Sequence, residues 1–126
     1  MKIVVIEDNK GDIHLIKEAL NQTRREINLN IITNGLDAVA YISSQEPKPD
    51  LIILDINLPH IDGFRVLETI KKSDYNEVPI AVFTSSDSEK DKKKALSMGA
   101  SVFSTKPFEA GDYFNTVLSF LSAAGG

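Results

Sequence analysis

Apolar and polar positions along the chain follow two alternating rhythms. Short runs of apolar, largely β-branched residues are separated by longer stretches in which apolar positions recur every three or four residues. This is the pattern of repeated strand–helix units around a parallel sheet. Five units can be counted, with strand candidates KIVVIE (2–7), INLNIIT (27–33), DLIILD (50–55), PIAVFT (79–84) and ASVFST (100–105). All but the second are nearly continuous apolar runs, as strands covered by helices on both faces should be, and they predict four central strands and one edge.

Between the strands, Ile13, Ile16 and Leu20 keep helical spacing after Asp12, the expected N-cap. Phe64, Leu67 and Ile70 do the same after HIDG (60–63), and Phe114, Val117, Leu118 and Leu121 mark a last helix. SDSE (86–89) has the form of a capping box, and the helix it opens should end at Gly99, a natural left-handed C-terminal residue. A shorter helix is expected over LDAVAYISS (36–44), broken by the prolines of QEPKPD (45–50). The fold expected is α/β, a flavodoxin-like (βα)5 doubly wound sheet with strand order 2-1-3-4-5 and helices on both faces. One domain should cover residues 1–122, leaving 123–126 as a frayed tail.

Composition narrows the function classes. A chain of 126 residues with 42% apolar content has enough material for one core. The net charge of −4 is spread along the chain, which argues against a protein that works by neutralising nucleic-acid phosphates. There is no cysteine, so disulfides, thiolate metal sites and thiol nucleophiles are excluded. No apolar run approaches the roughly 18 residues of a membrane span, and the apolar stretch in MKIVVIEDNK is too short for a secretory signal, so a cytoplasmic protein is expected. His14 and His60 lack ligand spacing, and the single Gly11 after the first strand makes no Walker or dinucleotide fingerprint.

The chemistry gathers where the apolar runs stop. Glu7 and Asp8 follow the first, Asp55 ends the third, Thr84 ends the fourth and Lys106 follows the fifth. Right-handed crossovers point all strands of a parallel sheet the same way, so these residues should line one edge. The order 2-1-3-4-5 places the ligand crevice between strands one and three, where Glu7, Asp8 and Asp55 would meet. Three crowded carboxylates repel one another, and protons or a cation must answer the repulsion. Lys106 offers one positive charge against three, so a hard divalent ion, with Mg²⁺ the natural candidate, should complete the site. Mg²⁺ usually shares its shell with a phosphoryl group. The implied chemistry is therefore phosphoryl transfer, with Asp55 as nucleophile and Thr84 and Lys106 stabilising charge on the phosphoryl oxygens. Each residue alone has an ordinary explanation: turn chemistry for the acids, an ST-turn for Thr84, snorkelling for Lys106. Their conjunction at four strand ends favours a site.

These residues resemble the receiver domain of two-component response regulators, over nearly the whole chain. The likeness is carried by VVIEDNKGD (4–12), LIILDINLPHIDG (51–63), VFTSSD (82–87) and FSTKPF (103–108). EDNKGDIHLI (7–16) and TSSD (84–87) look most like small stand-alone receivers paired with bacteriophytochromes and related sensor kinases. The resemblance implies that Asp55 accepts a phosphoryl group from a sensor histidine kinase or a histidine phosphotransfer protein. It implies that Asp8, Asp55 and the backbone carbonyl of Asn57 hold Mg²⁺, with Glu7 acting directly or through water. Thr84 and Lys106 would bind the phosphoryl oxygens, and Phe103 would be the switch aromatic that swings with Thr84. A cis peptide would join Lys106 to Pro107. Asn57 and Ser86 stand at positions that tune the lifetime of the acyl phosphate. Output to a downstream protein, or self-pairing into a homodimer, would use the fourth helix, fifth strand and fifth helix. KDKKK (90–94) on that helix is either a partner contact or a solvated face.

The resemblance departs in two places. Glu7 replaces the commoner Asp, and Phe103 lacks the hydroxyl of the more usual Tyr. Such a protein is a phosphoacceptor that catalyses only its own phosphorylation and dephosphorylation. The rival readings are a receiver-like scaffold that works without phosphorylation, a haloacid-dehalogenase-type phosphatase, and a flavodoxin-like FMN carrier. The second would need an acid where Asn57 stands, and the third would need a phosphate cradle where Glu7 and Asp8 stand. No DNA-binding motif is present, and the chain is too short to add an effector domain to the receiver.

Overall fold

Residues 3–6 are all buried, as a strand covered on both faces allows, and they form an interior strand of the sheet. In the structure, a computed structural model that describes residues 1–44 and 46–125, five parallel strands lie in the order β2-β1-β3-β4-β5. They are β1 (Lys2–Ile6), β2 (Asn28–Ile32), β3 (Leu51–Leu54), β4 (Ile80–Thr84) and β5 (Val102–Thr105). The helices between them are α1 (Lys10–Gln22), α2 (Gly35–Ile42), α3 (Gly63–Lys71), α4 (Glu89–Ser97) and α5 (Tyr113–Ala123), the last preceded by a 3-10 turn over Ala110–Asp112. Gln45 and Gly126, at the ends of two stretches read from the sequence, lie outside the described residues.

Alternation along each strand divides the core into two layers. Val4, Ile6, Ile52, Leu54, Ile80 and Val82 face α2, α3 and α4. Ile3, Val5, Leu51, Ile53, Ala81 and Phe83 face α1 and α5. The sheet has two edges rather than one, because β5 pairs only with β4 as β2 pairs only with β1. Val102 and Phe103 each pack into one layer, so β5 reads as a buried run although it is hydrogen-bonded along one side only.

Three helix details differ from the sequence reading. The N-cap of α1 is Asn9, whose side chain accepts from the Asp12 N–H at 2.9 Å, so Asp12 lies inside the first turn. Ser88 rather than Ser86 caps α4, accepting from Asp91 N–H at 3.2 Å, while Ser86 donates to the Asp91 carboxylate at 2.7 Å. The buried stripe of α5 is Tyr113, Val117, Phe120 and Leu121, with Phe114 and Leu118 half-buried beside it. α4 ends as expected before Gly99, whose φ of +105° is a left-handed geometry that glycine adopts without cost.

Gly63 starts α3 in contact with the end of β3. A Cβ there would lie 2.6 Å from the Asp55 carbonyl oxygen and closer still to the Ile56 backbone. Gly63→Ala is therefore expected to destabilise the protein by about 2–3 kcal/mol, measured by urea unfolding. A loss below about 1 kcal/mol would mean that the loop after β3 yields more easily than this packing implies.

Candidate functional site

Backbone hydrogen bonds carry the sheet past its last regular pairs and anchor each site residue. Ile6 and Leu54 are register partners, and just beyond them Asp55 N–H donates to the Ile6 carbonyl at 3.0 Å. Glu7 N–H donates to Ile32 at 2.9 Å, and Lys106 N–H donates to Thr84 at 2.7 Å. Four strands thus deliver Glu7, Asp55, Thr84 and Lys106 to the carboxyl edge. Glu7, Asp55 and Thr84 are the buried polar or charged residues among those described.

Lys106 organises this edge. Its ammonium reaches Glu7 Oε1 at 2.6 Å, Asp12 Oδ2 at 2.7 Å and Asp55 Oδ2 at 3.0 Å, so each of its three protons has a carboxylate acceptor. The other Glu7 oxygen accepts from the backbone N–H groups of Asp8 at 2.9 Å and Asn9 at 3.1 Å. The other Asp55 oxygen accepts from Asn57 N–H at 2.9 Å. Glu7, Asp8 and Asp55 offer carboxylate oxygens that all lie within 4.8 Å of one another, with Asp8 facing solvent. An all-oxygen set of this kind fits a hard divalent cation.

One ammonium cannot neutralise so many acids in a buried setting. Burial, and then the charge of Asp55, push the Glu7 carboxyl up to about 7, against the bonds from Lys106 and Asn9 that pull it down. Burial alone would lower the Lys106 ammonium, but the bonds from Asp12 and Glu7 and the charge of Asp55 outweigh it and hold the ammonium above its ordinary value. Because Glu7 titrates at 4.5 in the unfolded chain and near 7 when folded, the folded state binds the extra proton between those values. The stability from this group is full below about pH 4.5 and is lost as pH rises through 7, by up to about 3 kcal/mol. Urea unfolding without metal should therefore show a decline from pH 5 to 7.5 that Glu7→Gln flattens. An unchanged slope in that variant would assign the proton elsewhere.

Thr84 is fully buried. Its hydroxyl accepts from the Asn57 side-chain amide at 3.3 Å and from Ser86 N–H at 3.4 Å. Phe103, half-buried, packs against the layer of α2, α3 and α4. Thr105 on the edge strand donates to the Ser86 carbonyl at 2.8 Å, joining β5 to the loop before α4. The expected cis bond is not found: no peptide bond among the described residues is cis, so Lys106–Pro107 is trans. With that bond trans, the Lys106 N–H donates to Thr84 and its ammonium contacts all three carboxylates, so the site closes without the cis geometry. His14 is exposed beside Glu18 and His60 is exposed in the loop after β3, so neither belongs to the site.

Two residues escaped the sequence reading. Asp12 holds Lys106, and its second oxygen accepts from the Tyr113 hydroxyl at 2.9 Å. Burial, then the bond and charge of Asp12, push the Tyr113 phenol up to about 12. A signal for both was available. Asp12 falls on the same helix face as Ile16 and Ala19, and Tyr113 on that of Val117 and Phe120, so each puts a polar group at the head of a buried stripe.

Residues 3–118 match the response regulator receiver domain, and the chain belongs to that family. Its relatives include response regulator Rcp1 of Synechocystis sp., 35% identical over 121 residues that span 91% of this chain and 82% of Rcp1. The Mn²⁺-bound form of Rcp1 superposes with a TM-score of 0.88 at 34% identity, covering 96% of this chain and 91% of that one. The phosphorylated cyanobacterial phytochrome response regulator RcpA superposes with a TM-score of 0.89 at 33% identity, covering 96% and 94%. Among the described residues no helix is long and apolar enough to cross a membrane.

Proposed function

We propose that this receiver, a single unit over residues 1–122 with a short tail at 123–126, accepts a phosphoryl group on Asp55 from a phosphohistidine. The receiver would act in the cytoplasm, and the donor would be a sensor histidine kinase or a histidine phosphotransfer protein. The observation that carries the reading is the Asp55 carboxylate, buried at the end of β3, bonded to Lys106 at 3.0 Å and clustered with Glu7 and Asp8. An Asp55 oxygen forms the new bond to phosphorus as the bond from phosphorus to the histidine nitrogen breaks, and that nitrogen leaves with the electron pair. Lys106 and the Thr84 hydroxyl are the donors for the phosphoryl oxygens. Glu7, Asp8, Asp55 and the Asn57 backbone carbonyl would hold Mg²⁺, which supplies positive charge against the developing phosphoryl charge.

Phosphorylation adds charge beside Thr84 and Lys106, and their movement toward it would bias the loops after β4 and β5, with Phe103 following Thr84. The readout surface would be α4, β5 and α5, offered to a downstream protein or to a second copy of the chain. α4 suits such a shift because it buries Ala95 alone. The test is intact-protein mass spectrometry after incubation with acetyl phosphate and Mg²⁺. One phosphoryl adduct, absent when EDTA replaces Mg²⁺, is expected. No adduct, together with no spectral response to beryllofluoride, would favour a scaffold that never uses Asp55.

A further inference from the structure

Of the three carboxylates that contact the lysine, Asp12 alone is outside the group that can share a metal ion. Glu7, Asp8 and Asp55 converge, while Asp12 faces them across Lys106 from the first turn of α1. Resting on the reading above, a cation taken by Glu7 and Asp55 would compete with Lys106 for both of those acceptors. The bond to Asp12 at 2.7 Å is the one left intact. Its second oxygen is fixed by Tyr113, and the Tyr113 ring packs edge-on against Phe83 at 5.4 Å, one residue before Thr84 on β4. Phe83 in turn meets Phe120 of α5 at 5.3 Å. The carboxylate is therefore oriented from α5 and buttressed from β4, as a group held for the lysine's use would be.

We propose that Asp12 and Tyr113 form a seat for Lys106 separate from the metal ligands. The seat keeps the ammonium aimed at the phosphoryl site while Mg²⁺ occupies Glu7 and Asp55. Asp12 and Tyr113 are thus positioning residues, and they tie the placement of Lys106 to the packing of α1 on α5.

The decisive measurement is the NMR signal of the Lys106 ammonium, whose protons exchange slowly only while they are hydrogen-bonded and shielded. In the wild type the signal should persist both without Mg²⁺ and at saturating Mg²⁺. In Asp12→Ala, which leaves no acceptor at this position, it should persist without the metal, on Glu7 and Asp55, and be lost to exchange when Mg²⁺ is added. Loss in the wild type on adding Mg²⁺, or survival in Asp12→Ala with Mg²⁺ bound, would overturn the seat. These signals decide the question even if the wild type binds Mg²⁺ and takes no phosphate, an outcome that would sink the functional reading alone. A kinetic split gives a second readout. At saturating Mg²⁺ the maximal phosphorylation rate of Asp12→Asn from acetyl phosphate should fall about tenfold, with partial rescue in Asp12→Glu. Tyr113→Phe, which keeps every charge, should show a smaller fall in the same direction and covers the case of a poorly folded Asp12 variant. A maximal rate equal to the parent's once Mg²⁺ is saturating, with only the Mg²⁺ requirement raised, would mean that Asp12 acts only as a distant charge on the metal.

Discussion

Asp55→Asn will take up no phosphoryl group from acetyl phosphate or a phosphohistidine donor, and its metal-free form will be more stable than the parent. Both effects come from removing one charge. An amide oxygen is too weak a nucleophile to form the bond to phosphorus that the carboxylate forms. Asn at this position has one acceptor oxygen where Asp55 has two, so it keeps either the bond from Asn57 N–H or the one from Lys106, whose ammonium retains Glu7 and Asp12. What disappears is one of the acids that share a single ammonium, and with it the charge that helps raise Glu7. A gain of about 1 kcal/mol without metal is expected, and Mg²⁺ should stabilise the variant much less than the parent. Paired urea melts with and without Mg²⁺, alongside mass spectrometry, check both halves. A phosphorylated Asp55→Asn protein would move the acceptor to another residue, and a destabilised one would show that Asp55 contributes more by pairing with Lys106 than it costs by repulsion.

Lys106→Met should have the opposite sign and a larger size. Methionine keeps most of the aliphatic volume but leaves Glu7, Asp12 and Asp55 without their common partner. Breaking a buried pair from one side costs about 3–5 kcal/mol. The pH dependence distinguishes this cause from simple misfit. At pH 5 Glu7 is largely protonated and the uncompensated charge is smaller, so the loss should shrink; at pH 7.5 it should be full. Mg²⁺ should restore part of the loss at the higher pH by supplying charge to Glu7, Asp8 and Asp55. Unfolding curves at the two pH values, each with and without Mg²⁺, test this, and a cost independent of both would point to packing alone. The same variant should be phosphorylated far more slowly than the parent, since a donor to the phosphoryl oxygens is gone.

The legible part of this protein was whatever a repeating pattern expresses. Residues 3–6 and 51–54 announce strands covered on both faces, and acids placed immediately after such runs must sit at the carboxyl edge of a parallel sheet. The convergence of Glu7, Asp8, Asp55 and Lys106 follows from strand direction alone, without any side-chain detail. Less legible were choices made between near-equivalent residues. Asn9 and Asp12 are both good caps, and nothing local decides that Asn9 takes the task and releases Asp12 to the lysine. Ser86 and Ser88 pose the same ambiguity two residues apart. The second edge was hidden because β5 buries side chains into both layers while pairing on one side, and an apolar run reports burial and not pairing. Tyr113 is hard to read from sequence because a large ring at the head of a buried stripe reads as packing, whereas its hydroxyl reaches Asp12 on the neighbouring helix.

α1 and α5 lie side by side on one face of the sheet, and across that contact Tyr113 grips Asp12. This has a consequence for recombination between receivers. A chimera that imports α1 from one parent and α5 from another inherits a carboxylate and a phenol that were never selected together. Grafts that carry the two helices as one block should retain phosphotransfer, while single-helix exchanges should fold and yet transfer poorly.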